Sequence, residues 1–340
     1  MQKAIIRPLE GKPHVADHIL LGSIFGLLSA VGYTAANVCL RAATDSDPIW
    51  VSAVKAVPTV AIFAPYLAYR AAKALPIGPS PKAFWLLVAA GLLGQMGGNV
   101  AFQWSLGVIG LALAVPLCLG MMIVFGAWMG WSFLGERVTW RTIASMIVLF
   151  IAVMIVCLGA PTAQASVDRA ALADPLLALA GVAAACASGF AYAALGVAIR
   201  NAARHGAPTT SSLVTVGVVG MVSLLPMSWA RIGWAGMVGT SAHDWFYMLG
   251  AGVANAIAFF LLVKSLQMTS IAHVNALNAT QAAMAAIAGV LIFGEPLSAA
   301  LGLGIFLTAI GLLLMDARAA KRTVISDAAV GSGESEMEQT

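Results

Sequence analysis

The chain has 340 residues, of which 61% are hydrophobic and 9% charged, and it carries a formal net charge of +4. Too few polar groups are present to cover a water-soluble particle of this length, so its surface must face lipid. The small basic excess sits at the ends of apolar runs, where it reads as a topology signal and argues against a nucleic-acid partner.

Residues 1–17, with Lys3, Arg7, Lys12, His14 and Asp17, form a cytoplasmic N-terminal segment ahead of the first apolar run. No small-residue cleavage site follows that run, which is therefore expected to stay as a helix and not to be removed as a signal peptide. Hydropathy predicts ten spans, at 18–41, 49–70, 82–104, 109–131, 140–159, 175–199, 210–230, 244–263, 271–293 and 298–315. The stretch from Ala83 to Gly135 contains no Asp, Glu, Lys or Arg, and at about 1.5 Å per helical residue it crosses a roughly 30 Å hydrocarbon layer twice. Asp45, Asp47 and Pro48 mark the first turn, Pro76, Pro79 and Pro81 the second, and residues 160–174 an inter-repeat loop. A β-barrel would need short alternating strands instead. The 34 glycines suit helices that must approach closely without a hydrophobic driving force between them.

If the N-terminus is cytoplasmic, fourteen basic residues lie on inward segments, Arg200 and Arg204 among them. Only Arg41, Arg169 and Arg231 lie outward, and Lys55 falls inside a helix. That bias puts both termini in the cytoplasm, and the membrane is expected to be a bacterial cytoplasmic (inner) membrane. The tail at 316–340 has nothing to bury and is expected to be disordered.

The polar residues inside the spans are the candidate site. Lys55 lies about one turn and a half into the second span, ahead of Pro58 and Pro65. An ammonium at that depth must snorkel outward, pair with Asp45, Asp47 or a helix end, or meet an anionic or zwitterionic substrate. Gln95, Asn99 and Gln103 recur every four residues on one face of the third span. Asn255 occupies the corresponding span of the second half, and Asn275, Asn278 and Gln281 follow at three-residue spacing, with His273 upstream. These amides are either glue between helices or the lining of a cavity. Tyr33, Trp50, Trp104, Phe125, Trp128, Phe190 and Tyr192 can face the same cavity, whereas Trp85, Trp131, Trp140 and Trp245 read as interface anchors, a role also open to Trp50. Kinks at Pro58, Pro65 and Pro116 can turn backbone carbonyls toward a cavity. Cys39, Cys118, Cys157 and Cys186 lack metal-ligand spacing and read as small buried hydrophobes.

The two halves resemble one another. Phe133-Leu-Gly-Glu136 and Phe293-Gly-Glu295 each precede a final span, Ser105-Leu106 matches Ser265-Leu266, and Gly32-Tyr33 matches Gly189-Phe190, at separations of 157 to 160. With five spans per half, the second half enters the membrane inverted relative to the first. Glu136 and Glu295 sit where a carboxylate favours a helix start, a structural role, with gating or proton coupling as the alternative.

On these residues the chain resembles the drug/metabolite transporter superfamily of the EamA type, whose units carry a Gly-Glu pair before the last helix; Gly135-Glu136 and Gly294-Glu295 match it. The resemblance covers about residues 18–316. It implies an all-α polytopic membrane protein of ten transmembrane helices in two inverted five-helix repeats, 18–159 and 175–315, around a central substrate cavity. It also implies carriage of a small organic metabolite, with export ahead of import or of flipping a lipid-linked substrate. The expected partners are that substrate, membrane lipids and a coupling proton or ion, with no cofactor, in a monomer or homodimer. The sequence offers no enzymatic constellation, ATP-binding loop or channel filter.

Overall fold

The computed structural model describes residues 15–75, 77–135, 139–158, 175–278, 280–294 and 299–314, and their regular structure is entirely helical. The first half contains α1 (Val15–Ala42), α2 (Pro48–Ala72), α3 (Pro81–Leu93), a π-helical stretch Gly94–Val100, α4 (Ala101–Ile109), α5 (Leu111–Leu134) and α6 (Trp140–Leu158). The second contains α7 (Pro175–Arg204), α8 (Thr209–Val238), α9 (Ala242–Met268), α10 (Ile271–Asn278), α11 (Thr280–Phe293) and α12 (Ala299–Leu314). Among the described residues, seven helical segments are long and apolar enough to cross a membrane; α3, the π stretch and α4 count as one of them, Pro81–Ile109. α6, α10, α11 and α12 are the shorter remainder. The N-terminal segment, the loop at 160–174 and the tail lie outside the described residues, apart from Val15, Ala16 and Asp17 at the start of α1.

Local chemistry sets the breaks. The Asp47 carboxylate accepts from the Ile49 and Trp50 amides and Pro48 opens α2, while Ser80 and Pro81 do the same for α3. α4 and α5 are separated by Gly110 alone, at φ 75° and ψ 174°, a conformation that a side chain would strain. The expected boundary at 104–109 therefore falls at Gly110, and the fourth span begins at Leu111. α8 runs past its expected end, turning at Gly233.

Long α1 lies along α9, and α3, the π stretch and α4 lie along α7. α2 packs on α8, α6 on α12, and α5 against both α7 and the α10–α11 pair. Exchanging the halves maps the first two of these pairings onto one another. Atomic contacts repeat the pattern: a Cβ on Gly22 would meet Met268 and Thr269 at 2.9 and 2.8 Å, and one on Gly181 would meet Val108 and Ile109 at 2.9 and 2.8 Å. Likewise Gly91 abuts Val219 while Gly252 abuts Pro58. These contacts put α1 onto α7 at a separation of 159, which aligns Tyr33 with Tyr192, not with Phe190 as the 157 match suggested. α2 falls onto α8 at 161, aligning Pro65 with Pro226.

The end of the bundle where α1 begins is termed the near side, and the other the far side. One apolar cluster, with Trp50, Leu106, Leu111 and Met248, fills the far side. A second, with Leu87, Ile199, Leu213 and Leu266, fills the near side. Between them the helices leave a cavity.

Candidate functional site

The cavity has a volume of about 140 Å³, some ten times the space a single buried water needs. Helices of both halves line it: Tyr33 and Asn37 from α1, Lys55 and Thr59 from α2, Gln95 and Asn99 from the π stretch, Cys118 from α5, Tyr192 from α7, Asn255 from α9, Asn278 from α10 and Gln281 from α11. Seven of the residues expected to hold substrate therefore meet in one space. Phe102, Met122 and Phe259 give it apolar walls.

Lys55 organises one wall. It is 5% exposed, and its ammonium donates to Asn99 Oδ1 at 2.6 Å. The Tyr192 hydroxyl donates to the same oxygen at 2.7 Å. Asn99 Nδ2 donates to Gln95 Oε1 at 2.6 Å, and Gln95 Nε2 to the Val216 carbonyl at 3.1 Å. This chain of bonds fixes which way the Asn99 amide faces: its oxygen toward two donors, its nitrogen toward Gln95. The π stretch supplies both amides, a place where such irregular helix is often found at functional sites.

Among the described residues no carboxylate lies within ion-pair distance of Lys55. Asp47 caps α2 and pairs with Arg231 of α8 at 2.5 Å, so it is engaged at the far end of the bundle. Neither snorkelling nor an Asp47 pair describes Lys55, which points into the cavity. A buried cation satisfied by one amide oxygen leaves a desolvation cost of several kcal/mol only partly offset.

A second polar wall lies opposite in sequence. Gln281 Nε2 donates to Asn278 Oδ1 at 2.9 Å, and Asn278 Nδ2 to the Val274 carbonyl at 3.1 Å. His273 Nε2 lies 2.9 Å from the Ser23 hydroxyl, joining α10 to α1 outside the cavity lining. Of the two roles open to it, Gln103 takes that of glue between helices and not of cavity lining: it is buried and donates to the Leu40 carbonyl at 3.0 Å, tying α4 to α1. It shares a helix face with Gln95, but two turns farther along it lies beyond the cavity. Pro58 abuts Gly252, and buried Pro116 sits beside the cavity residue Val115. Glu136, Glu295 and the Asn275 side chain lie outside the described residues.

Trp50, whose candidate roles were cavity lining or interface anchor, is buried, its indole N–H donating to Thr240 at 2.9 Å and its ring set edge-on to Trp245. Trp85, Trp131 and Trp140 are exposed as anchors should be. Asn37 also lines the cavity, and its only signal in the sequence is its place one turn beyond Tyr33. Arg200, expected at the membrane face, is 3% exposed and donates to the Leu266 carbonyl.

The model of the EamA-like transporter family matches this chain twice, at residues 20–158 and 179–315. Among curated proteins none matches. Several solved structures are similar in fold, among them a crystal structure with a TM-score of 0.62 and 14% sequence identity over 86% of this chain and 96% of that one.

Proposed function

Because this chain belongs to the EamA-like transporter family, we propose that it is a secondary transporter that carries a small anionic or zwitterionic organic metabolite across the cytoplasmic membrane by alternating access, with export as its working direction. The observation that carries this reading is Lys55: a buried ammonium, facing a cavity shared by both halves, with an amide oxygen as its partner and no carboxylate beside it among the described residues. A substrate carboxylate or phosphate supplies the missing charge, and Tyr33, Asn37, Asn255 and Gln281 offer polar groups for the rest of the molecule.

The mechanism follows from the repeat. In this reading α6, the α10–α11 pair and α12 add three spans to the seven long ones, giving two inverted five-helix units. The mirrored contacts of Gly22 and Gly181 support that arrangement. The bias of basic residues supports cytoplasmic termini. Apolar clusters on either side of the cavity act as the two barriers that open in turn.

The test compares metabolites inside and outside cells that make the wild type or Lys55→Met at matched membrane abundance. A metabolite depleted inside and enriched outside with the wild type alone supports export through the Lys55 site. The opposite gradient means import. Altered lipid distribution with unchanged metabolites means a flippase, and equal export by Lys55→Met removes Lys55 from the path.

A further inference from the structure

The charges that line the cavity are unbalanced. Lys55 brings three N–H donors and spends one on Asn99, which leaves two for a ligand. Among the described residues that line the cavity there is no second cation and no carboxylate. Arg200, one residue beyond the lining residue Ile199, donates to the Leu266 carbonyl and is not part of the lining. One negative charge therefore neutralises the site, and a second would be buried without a counter-charge.

Beside the ammonium stands a set of neutral polar groups. The Tyr33 hydroxyl and the Asn37 and Asn255 amides line the cavity, and none of these side-chain groups makes a hydrogen bond among the described residues. Packing brings them together. A Cβ on Gly32 would lie 3.6 Å from the Ala254 carbonyl oxygen, so their neighbours Tyr33 of α1 and Asn255 of α9 stand level, and Asn37 follows Tyr33 by one turn. Gly252, one turn before Asn255, abuts the Lys55 backbone: a Cβ there would lie 3.0 Å from the Lys55 carbonyl oxygen. A ligand whose acid meets Lys55 thus presents its next atoms to groups that donate and accept but carry no charge. A hydroxyl suits them. An ammonium in that place would sit about 5 Å from Lys55 Nζ, and amide oxygens accept its protons without offsetting the repulsion.

The wall toward the near side is apolar. Leu195, Ile199, Leu262 and Leu266 line it, and three of them, Leu195, Ile199 and Leu266, belong to the near-side cluster. The cavity volume of about 140 Å³ offers about ten water-sized places, enough for a molecule of about nine non-hydrogen atoms. From these observations we infer that the cargo is a monoanionic 2-hydroxy acid with a branched apolar body, and that the cavity selects by charge against the amino acid and the dianion of the same skeleton. This inference rests on the carrier reading above and narrows the substrate of the same site.

Matched acids test it by titration calorimetry on the full-length chain purified in detergent. The probe 2-hydroxy-4-methylpentanoate is expected to bind. Leucine, with an ammonium in place of the hydroxyl, and isobutylmalonate, with a second carboxylate there, should each bind at least about tenfold more weakly. Lactate keeps the head and loses the apolar body, and should weaken by a similar factor. So should 4-methylpentanoate, which lacks the hydroxyl and leaves the Tyr33 and Asn255 groups unmatched. Asn255→Leu should bring the hydroxy acid and 4-methylpentanoate within about threefold of one another. Leucine or isobutylmalonate binding as tightly as the hydroxy acid overturns the inference, and so does a failure of every probe to bind the wild type. Lys55→Met separates this outcome from failure of the carrier reading. If leucine equals the hydroxy acid and both are lost in Lys55→Met, the charge selection falls while the Lys55 site stands. If the hydroxy acid binds Lys55→Met undiminished, the acid site itself falls. Where either variant is not monodisperse, the ranking of the probes on the wild type decides.

Discussion

Asn99 does more than occupy the cavity, because one oxygen serves both Lys55 and Tyr192. Asn99→Leu leaves two donors and Gln95 without their partner and is expected to destabilise the protein by about 1–3 kcal/mol, measured as a lower melting temperature in detergent. Asn99→Asp is the more telling change. It places a carboxylate beside the ammonium, so stability should hold or rise while transport of the anionic substrate falls by at least about tenfold. A variant that is stable and fully active would show that Lys55 has no substrate charge to meet. Lys55, Gln95 and Asn99 were legible in sequence because ionisable and amide side chains inside an apolar span demand an explanation. Arg200 was not, since an arginine at the end of an apolar run looks like any topology residue. Only the length of α7, continuing to Arg204, leaves it a turn inside the protein.

Among the helices, α5 and α7 meet most closely at Gly189, where a Cβ would lie 2.2 Å from the Cys118 carbonyl oxygen. Gly189→Ala must push the two helices apart and is expected to lower stability by about 1–3 kcal/mol or prevent folding, seen as reduced yield of monodisperse protein. Gly196→Ala, on the same helix with nothing within 4 Å, should be neutral or stabilising by up to about 1 kcal/mol. Equal effects of the two would mean that backbone propensity and not packing governs α7. The presence of the seven long apolar segments followed from hydropathy, but the ends of α7 and α8 and the break at Gly110 did not. A lone glycine between apolar residues gives no stop signal, and its positive φ appears only in the folded chain. The repeat register also needed contacts: in alanine-rich helices a shift of two residues matches nearly as well, and only the Gly22 and Gly181 packing separates 159 from 157.

For the whole molecule, the proposed orientation makes a direct prediction. In intact cells an impermeant maleimide should label His243→Cys, on the exposed start of α9, and spare Gly78→Cys, on the exposed turn before α3. The reverse pattern would invert the protein in the membrane and with it the sense of the positive-residue bias. Both sites are accessible in the fold, so protection of either reports the membrane and not burial.

The frame is doubled but its charge is not. At the register that superposes Pro65 on Pro226, Lys55 falls on Val216, whose backbone merely anchors Gln95. A molecule docking by its acid group therefore has a compass in the cavity: approaching from one face it meets Lys55 with its head leading, and from the other with its head trailing. The two faces of a nearly symmetric carrier need not recognise their cargo equally well, and a difference in apparent affinity between the two sides is the expected signature of that single unmatched lysine.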